Sequence, residues 1–104
     1  MTTLGPRVAG PDRFYDSAPL KPPVLAGNAR IRSVHWRHEL PPGRKLIAQL
    51  CTSRRCIGLD GSRGTSDALA GEPVDVPLWF RFRLPAGERT PVQVGAIQLL
   101  VDYQ

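Results

Sequence analysis

Long apolar runs are missing from this sequence. No stretch approaches the ~18 consecutive apolar residues of a membrane-crossing helix, so no helical anchor is expected within its 104 residues. Lysine is nearly missing too: of 14 cationic residues only Lys21 and Lys45 are lysines, so the net charge of +5 is a guanidinium excess. Guanidinium favours planar pairing and stacking on aromatic rings over diffuse solvation. Aromatics make up 7% of the chain and form no nucleic-acid-binding motif, and the positive charge is scattered, so no nucleic-acid partner is expected. No window carries a convincing helical stripe, and Pro (11) with Gly (10) would break one.

Enzyme signatures are equally scarce. There is no G-x-S-x-G elbow, Gly61-Ser62-Arg63-Gly64 being a turn sequence. The stretch Gly58 to Gly64 lacks the Gly-Lys-Ser/Thr ending of a phosphate loop. Glu39, Glu72 and Glu88 lie in or beside turns, which leaves no designed carboxylate pair. No enzyme, cofactor or metal follows from these residues.

What is present alternates. Val34, Trp36, His38 and Leu40 share one phase and Ser33, His35, Arg37 and Glu39 the other, which predicts a strand. Ile31 is out of phase, predicting a bulge near Arg32-Ser33. Lys45 to Thr52 reads as a second strand, Thr52 to Arg55 as a tight turn and Cys56 to Leu59 as the return strand, closed by Asp60-Gly61. Residues 60–75 read as a long loop with one helical turn at Ala68-Leu69-Ala70.

The clearest strand is Val76 to Leu84, with Val76, Leu78, Phe80, Phe82 and Leu84 on one face and Trp79, Arg81 and Arg83 on the other. Pro77 puts its start at an edge or strand beginning. Burying those five apolar side chains contributes roughly 7–15 kcal/mol, against roughly 13 kcal/mol to order the segment; the strand needs neighbours. A last strand, in which Ile97, Leu99, Val101 and Tyr103 alternate with Gln98, Leu100, Asp102 and Gln104, runs to the C-terminus. Together these predict one all-β domain over residues 1–104, a small β-sandwich or open barrel, immunoglobulin-like or carbohydrate-binding-module-like. Its strands are short and antiparallel with long loops, and residues 1–28, rich in Pro and Gly, hold a strand or two among irregular segments.

Three groups of residues are candidates for function. Cys51 and Cys56 face each other across the predicted turn, within reach of a disulfide. A zinc site with His35 and His38, or a thiolate activated by Arg54 and Arg55, are the alternatives. A shared zinc is disfavoured because a three-residue offset on a regular strand sends His35 and His38 to opposite faces. His38 reads as a hydrogen-bonded, semi-buried histidine at a strand end, and His35 faces outward with Arg37. The third group is the stripe Trp79, Arg81 and Arg83, extended by His35 and Arg37 from another strand, which suits an acidic or extended partner. Its alternatives are a charged edge strand with Trp79 covered by arginine stems, and a glycan-binding module with Trp79 as stacking platform.

Three segments carry a resemblance. Trp36-Arg37-His38-Glu39-Leu40, the run from Leu50-Cys51-Thr52-Ser53-Arg54-Arg55-Cys56 into Leu59-Asp60-Gly61-Ser62-Arg63-Gly64-Thr65, and Gln98-Leu99-Leu100-Val101-Asp102-Tyr103 resemble the flagellar FlhE family. The resemblance spans Ala29 to Gln104 well, and its most specific part is Cys-x4-Cys-x2-Leu-Asp-Gly-x2-Gly-Thr. It implies a small, non-enzymatic periplasmic protein with a β-sandwich-like fold and with Cys51 and Cys56 as the family's disulfide pair. It further implies export-gate or rod and hook proteins as partners, with a role in limiting proton leak through the gate or as a chaperone against misassembly. The family's secretory signal has no counterpart at Met1-Thr2-Thr3-Leu4-Gly5-Pro6-Arg7. The expectation is a periplasmic protein whose signal has been removed or whose start lies elsewhere, the cysteine pair favouring an oxidising compartment. The oligomeric state stays open.

Overall fold

The computed structural model describes residues 1–21 and 29–104; the part of the Pro/Gly-rich start at 22–28 lies outside the described residues. Ten strands are present among them: β1 (Thr2–Leu4), β2 (Arg7–Val8), β3 (Tyr15–Asp16), β4 (Ile31–His38), β5 (Ile47–Cys51), β6 (Cys56–Leu59), β7 (Arg63–Ser66), β8 (Trp79–Arg83), β9 (Val92–Gln93) and β10 (Ala96–Tyr103). They form two four-stranded antiparallel sheets, β1-β10-β4-β7 and β3-β8-β5-β6, and a two-stranded β2-β9 ribbon. The all-β expectation holds, and the inner faces of the two sheets share one core.

The first sheet is built on β4 and β10, which pair along nearly their full length from Ile97↔His38 to Tyr103↔Ile31. The register shifts between Asp102 and Tyr103, which face Ser33 and Ile31, leaving Arg32 as the extra residue. This is the predicted bulge. It turns Ile31 inward with Val34 and Trp36, and all three are buried. From the second sheet, Leu50, Phe80 and Phe82 meet them, fully buried, with the two phenylalanine rings stacked at 6.2 Å. His38 bridges the layers, its ring edge-on to Phe82 at 5.2 Å.

Several expectations are corrected. Residues 60–75 are not one long loop, because Arg63–Ser66 forms β7 and pairs with β4 from Val34↔Ser66 to Arg37↔Arg63. No apolar alternation announces it. Its inward position opposite Trp36 is Gly64, where a Cβ would lie 2.6 Å from the indole, so the tryptophan fills the space a side chain would take. Around Ala68-Leu69-Ala70 the expected single turn takes the form of two successive i→i+3 turns, with Ala70 N–H donating to Asp67 O and Glu72 N–H to Leu69 O, and Leu69 fully buried.

The strand predicted over Val76 to Leu84 is shorter, Trp79–Arg83, because Pro77 has no N–H to give and Leu78 bridges only Leu20. Nor is β8 an edge strand, since it lies between β3 and β5. The irregular start supplies three short strands, β1 to β3. Beyond β3, the Ser17 hydroxyl accepts the Phe80 N–H at 3.0 Å, standing in for a backbone carbonyl along β8. His38 is buried rather than semi-buried, and its Nδ1 has no hydrogen-bond partner.

Two outcomes follow. Gly64→Val drives a branched side chain into Trp36 and is expected to cost about 1–3 kcal/mol in urea unfolding, as overpacked cores do. Burial lowers the His38 pKa below the usual imidazole value. Below about pH 6.5 the unfolded chain therefore binds the proton that the folded chain resists, and stability falls as pH drops from 7 toward 5. His38→Leu is expected to flatten that part of the profile in urea melts repeated across the pH range.

Candidate functional site

Outward positions of the second sheet line up in rows across its strands. Trp79 on β8 faces Cys51 on β5, which faces Cys56 on β6. The next row is Asp16, Arg81, Gln49 and Gly58, and the third pairs Arg83 with Ile47. Strand alternation alone puts Trp79, Arg81 and Arg83 on this face. Pairing with β5 then sets the stripe beside the cysteine hairpin.

The cysteines are joined in a disulfide, with Cα atoms 4.0 Å apart across the hairpin. Both sulfurs are thus committed, which leaves neither as a metal ligand or nucleophile. Thr52 closes the turn: its N–H donates to Arg55 O at 2.8 Å, and its hydroxyl oxygen accepts the Arg54 and Arg55 N–H groups at 3.1 and 3.3 Å. The same hydroxyl lies 3.4 Å from the buried Glu72 carboxylate, which ties the hairpin turn to the segment after β7.

The two arginines of the stripe are held from below. Arg81 ion-pairs with Asp16 at 3.5 Å, and its guanidinium sits 5.0 Å from the Phe14 ring centre. Arg83 lies 5.4 Å from the same ring and donates to Pro11 O at 3.4 Å. Half-exposed pairs of this kind contribute about 0–1 kcal/mol each, so their effect is positional, fixing two flexible side chains as a rigid cationic surface. Trp79 is half-buried, and its indole N–H is enclosed without a partner.

His35 and Arg37 do not join this surface. They lie on β4 and point outward from the first sheet, on the opposite side of the sandwich from Trp79, Arg81 and Arg83. The expected extension of the stripe is therefore absent. His35 belongs instead to a chain of polar contacts across three strands. Its Nε2–H donates to Asp102 Oδ2 at 2.7 Å on β10, and Nδ1 lies 2.8 Å from the Thr65 hydroxyl oxygen on β7. Ser33 donates to the same carboxylate oxygen at 2.9 Å. The imidazole first, then the Ser33 hydroxyl, holds the Asp102 carboxyl below the usual carboxylate range.

Hydroxyl, imidazole and carboxylate in series are the components of a nucleophilic triad. Here the imidazole and carboxylate are 40% and 43% exposed on an open strand face, so water competes for every charge that would develop. The arrangement fits a staple across β7, β4 and β10. Phe14, Asp16, Thr65 and Asp102 carried no sequence signal for these roles, because their partners lie on strands distant in the chain.

Comparison with known proteins follows the same lines. The sequence profile described as Flagellar protein FlhE matches residues 5–104. The flagellar protein FlhE of Yersinia enterocolitica is 39% identical over 94 residues, covering 83% of this chain and 66% of the relative. That of Salmonella typhimurium is 37% identical over 75 residues, covering 68% of this chain and 58% of the relative. The chain thus spans about three-fifths to two-thirds of the length of these relatives. A crystal structure of FlhE superposes with a TM-score of 0.86 at 30% identity, over 99% of this chain and 92% of that one.

Closing so short a loop is worth about 2 kcal/mol in the chain-entropy description. Cys51→Ala with Cys56→Ala is expected to lower the unfolding free energy by about that amount. Adding reductant to the parent chain should reproduce the loss, and the double variant should not respond to it.

Proposed function

This chain belongs to the flagellar protein FlhE family, and on that premise we propose that it is a non-enzymatic accessory of the flagellum that works in the periplasm by binding. Its partners are export-gate or rod and hook proteins. By engaging them it limits proton leak through the gate or keeps flagellar components from misassembling. The observation that carries the reading is the outer face of the second sheet, where Trp79 adjoins the Cys51–Cys56 bridge and Arg81 and Arg83 are braced on Phe14. A pre-ordered aromatic and guanidinium surface loses little side-chain freedom when a partner docks, which favours binding over a mobile surface of equal area.

The disulfide suits an oxidising compartment, because a short hairpin bridge with Cys56 at the surface would be hard to maintain against cytosolic reductants. A catalytic role finds less support, since the hydroxyl–imidazole–carboxylate series lies on an open face without converging donors. The glycan-binding alternative is also weaker than the sequence suggested. It needs a second free aromatic near Trp79, and Phe14, the aromatic found with the stripe, is already engaged by two guanidiniums.

The test is co-purification of the oxidised protein from the periplasm of flagellated cells, with captured export-gate and rod proteins identified by mass spectrometry. Trp79→Ala combined with Arg81→Glu is expected to reduce capture at least about tenfold, the equivalent of one interface hot spot. His35→Ala with Arg37→Glu, on the opposite side, should leave it unchanged. Capture that survives the first pair and fails with the second would move the contact to the first sheet.

A further inference from the structure

One end of the sandwich carries a cleft of about 540 Å³ that neither outer face accounts for. His38, at the end of β4, forms part of its lining together with the loop from Leu40 to Leu46 and the corner Gly61-Ser62 between β6 and β7. Hydrogen bonds fix that corner: His38 N–H donates to Ser62 O at 2.8 Å, and the Trp36 indole N–H donates to Gly61 O at 3.4 Å. The positive φ of Gly61, 73°, lets the chain turn there without strain.

Charge and polarity are unequally spread around the cleft. Leu40, Leu46 and the Pro41-Pro42 pair make an apolar wall, and Arg44 and Lys45 stand beside them. Arg44 is partly committed, donating to Thr90 O and lying 3.9 Å from Glu88. Lys45 is exposed and forms no ion pair among the described residues. His38 is 4% exposed, with Nδ1 sealed in the core and unpartnered.

That orphan nitrogen sets the chemistry of the ring. Burial pushes the imidazole pKa below its ordinary value, which favours the neutral ring with one proton and one lone pair. An enclosed N–H without an acceptor is costly, which favours the lone pair at Nδ1 and the proton at Nε2. The cleft therefore combines cations, Ser62 and the His38 ring with an apolar wall, and it holds no carboxylate among the residues that line it.

We propose that this cleft binds a carboxylate carried on an apolar group, with Lys45 and Arg44 neutralising the anion and the Leu40–Leu46 loop covering the apolar part. A phosphate or sulfate would use the cations and leave the apolar wall wet; a neutral apolar ligand would leave Lys45 and Ser62 without a role. The carboxylate can come from a free organic acid or from the C-terminus of a polypeptide, and the two present the same group. The site lies apart from the Trp79 surface and does not depend on it.

The experiment is a titration of the full, oxidised chain, labelled with ¹⁵N, with N-acetyl-leucine and separately with N-acetyl-leucinamide. Saturable amide shifts confined to residues 38–46 and 61–62 are expected with the acid, and binding of the amide should be at least about tenfold weaker, as loss of one charge-assisted contact implies. Lys45→Glu, at an exposed position, should weaken the acid about tenfold or more while leaving the remaining spectrum in place. A short acetylated peptide ending in leucine with a free carboxylate forms the second arm. Binding tighter than the free acid, lost on C-terminal amidation, identifies a chain terminus as the source; equal or weaker binding identifies a free acid. Acid and amide binding alike, shifts that do not saturate, or an affinity indifferent to Lys45→Glu would each overturn the proposal.

Discussion

The antiparallel pairing of Ile31–His38 with Ala96–Tyr103 is the contact on which the rest of this protein depends. It joins residues 31–38 to residues 96–103, far apart in the chain, and creates the sheet to which β1 and β7 add as edges. Because side chains alternate with a period of two, a slip of one residue would turn Val34, Trp36, Ile97 and Leu99 out to water and bring His35, Arg37 and Asp102 inside. The bulge at Arg32 shows how firmly the register is held. One extra residue is accommodated so that Ile31 and Tyr103 rejoin the inner face. Burial of the apolar set costs one irregularity in the ladder, and burial wins.

The second sheet is organised differently. Its β5–β6 hairpin is local in sequence and braced by the disulfide, whereas β3 and β8 reach it from distant parts of the chain. Local closure contributes only about 2 kcal/mol through the bridge; the packing of Phe80, Phe82 and Leu50 supplies the larger part, at about 1.5–3 kcal/mol for each buried side chain. The outcome is a firm platform with two unlike outer faces. One presents a tryptophan, a disulfide and two braced guanidiniums, and the other a polar staple through His35 and Asp102.

Family membership and physical reading meet in the run from Cys51 to Thr65. Its cysteines close the hairpin, Asp60-Gly61-Ser62 turns the chain from one sheet to the other, and Gly64 leaves room for Trp36. The spacing that carries the resemblance is therefore the spacing that a hairpin, a corner and a close approach require. None of these residues needs a partner to have its place in the fold. The surfaces proposed for binding lie elsewhere, on β8 and at the cleft end.

Alternation and turn signals were enough to predict strands at β4, β5, β6, β8 and β10, the inward residues of β4 and β8, the bulge before Val34 and a cysteine pair within bridging distance. These depend on local periodicity and short turns, which a sequence displays directly. β7 could not be read this way, because Arg63-Gly64-Thr65-Ser66 is a strand through its partner Trp36 and carries no apolar phase of its own. Nor could the separation of His35 and Arg37 from Trp79, since both groups are simply outward and only the assignment of strands to sheets decides that they are opposed. The sealed Nδ1 of His38, the ring of Phe14 beneath two arginines and the Thr65–His35–Asp102 series were likewise settled by tertiary structure. Each depends on which distant residue arrives opposite, and local pattern carries no term for that.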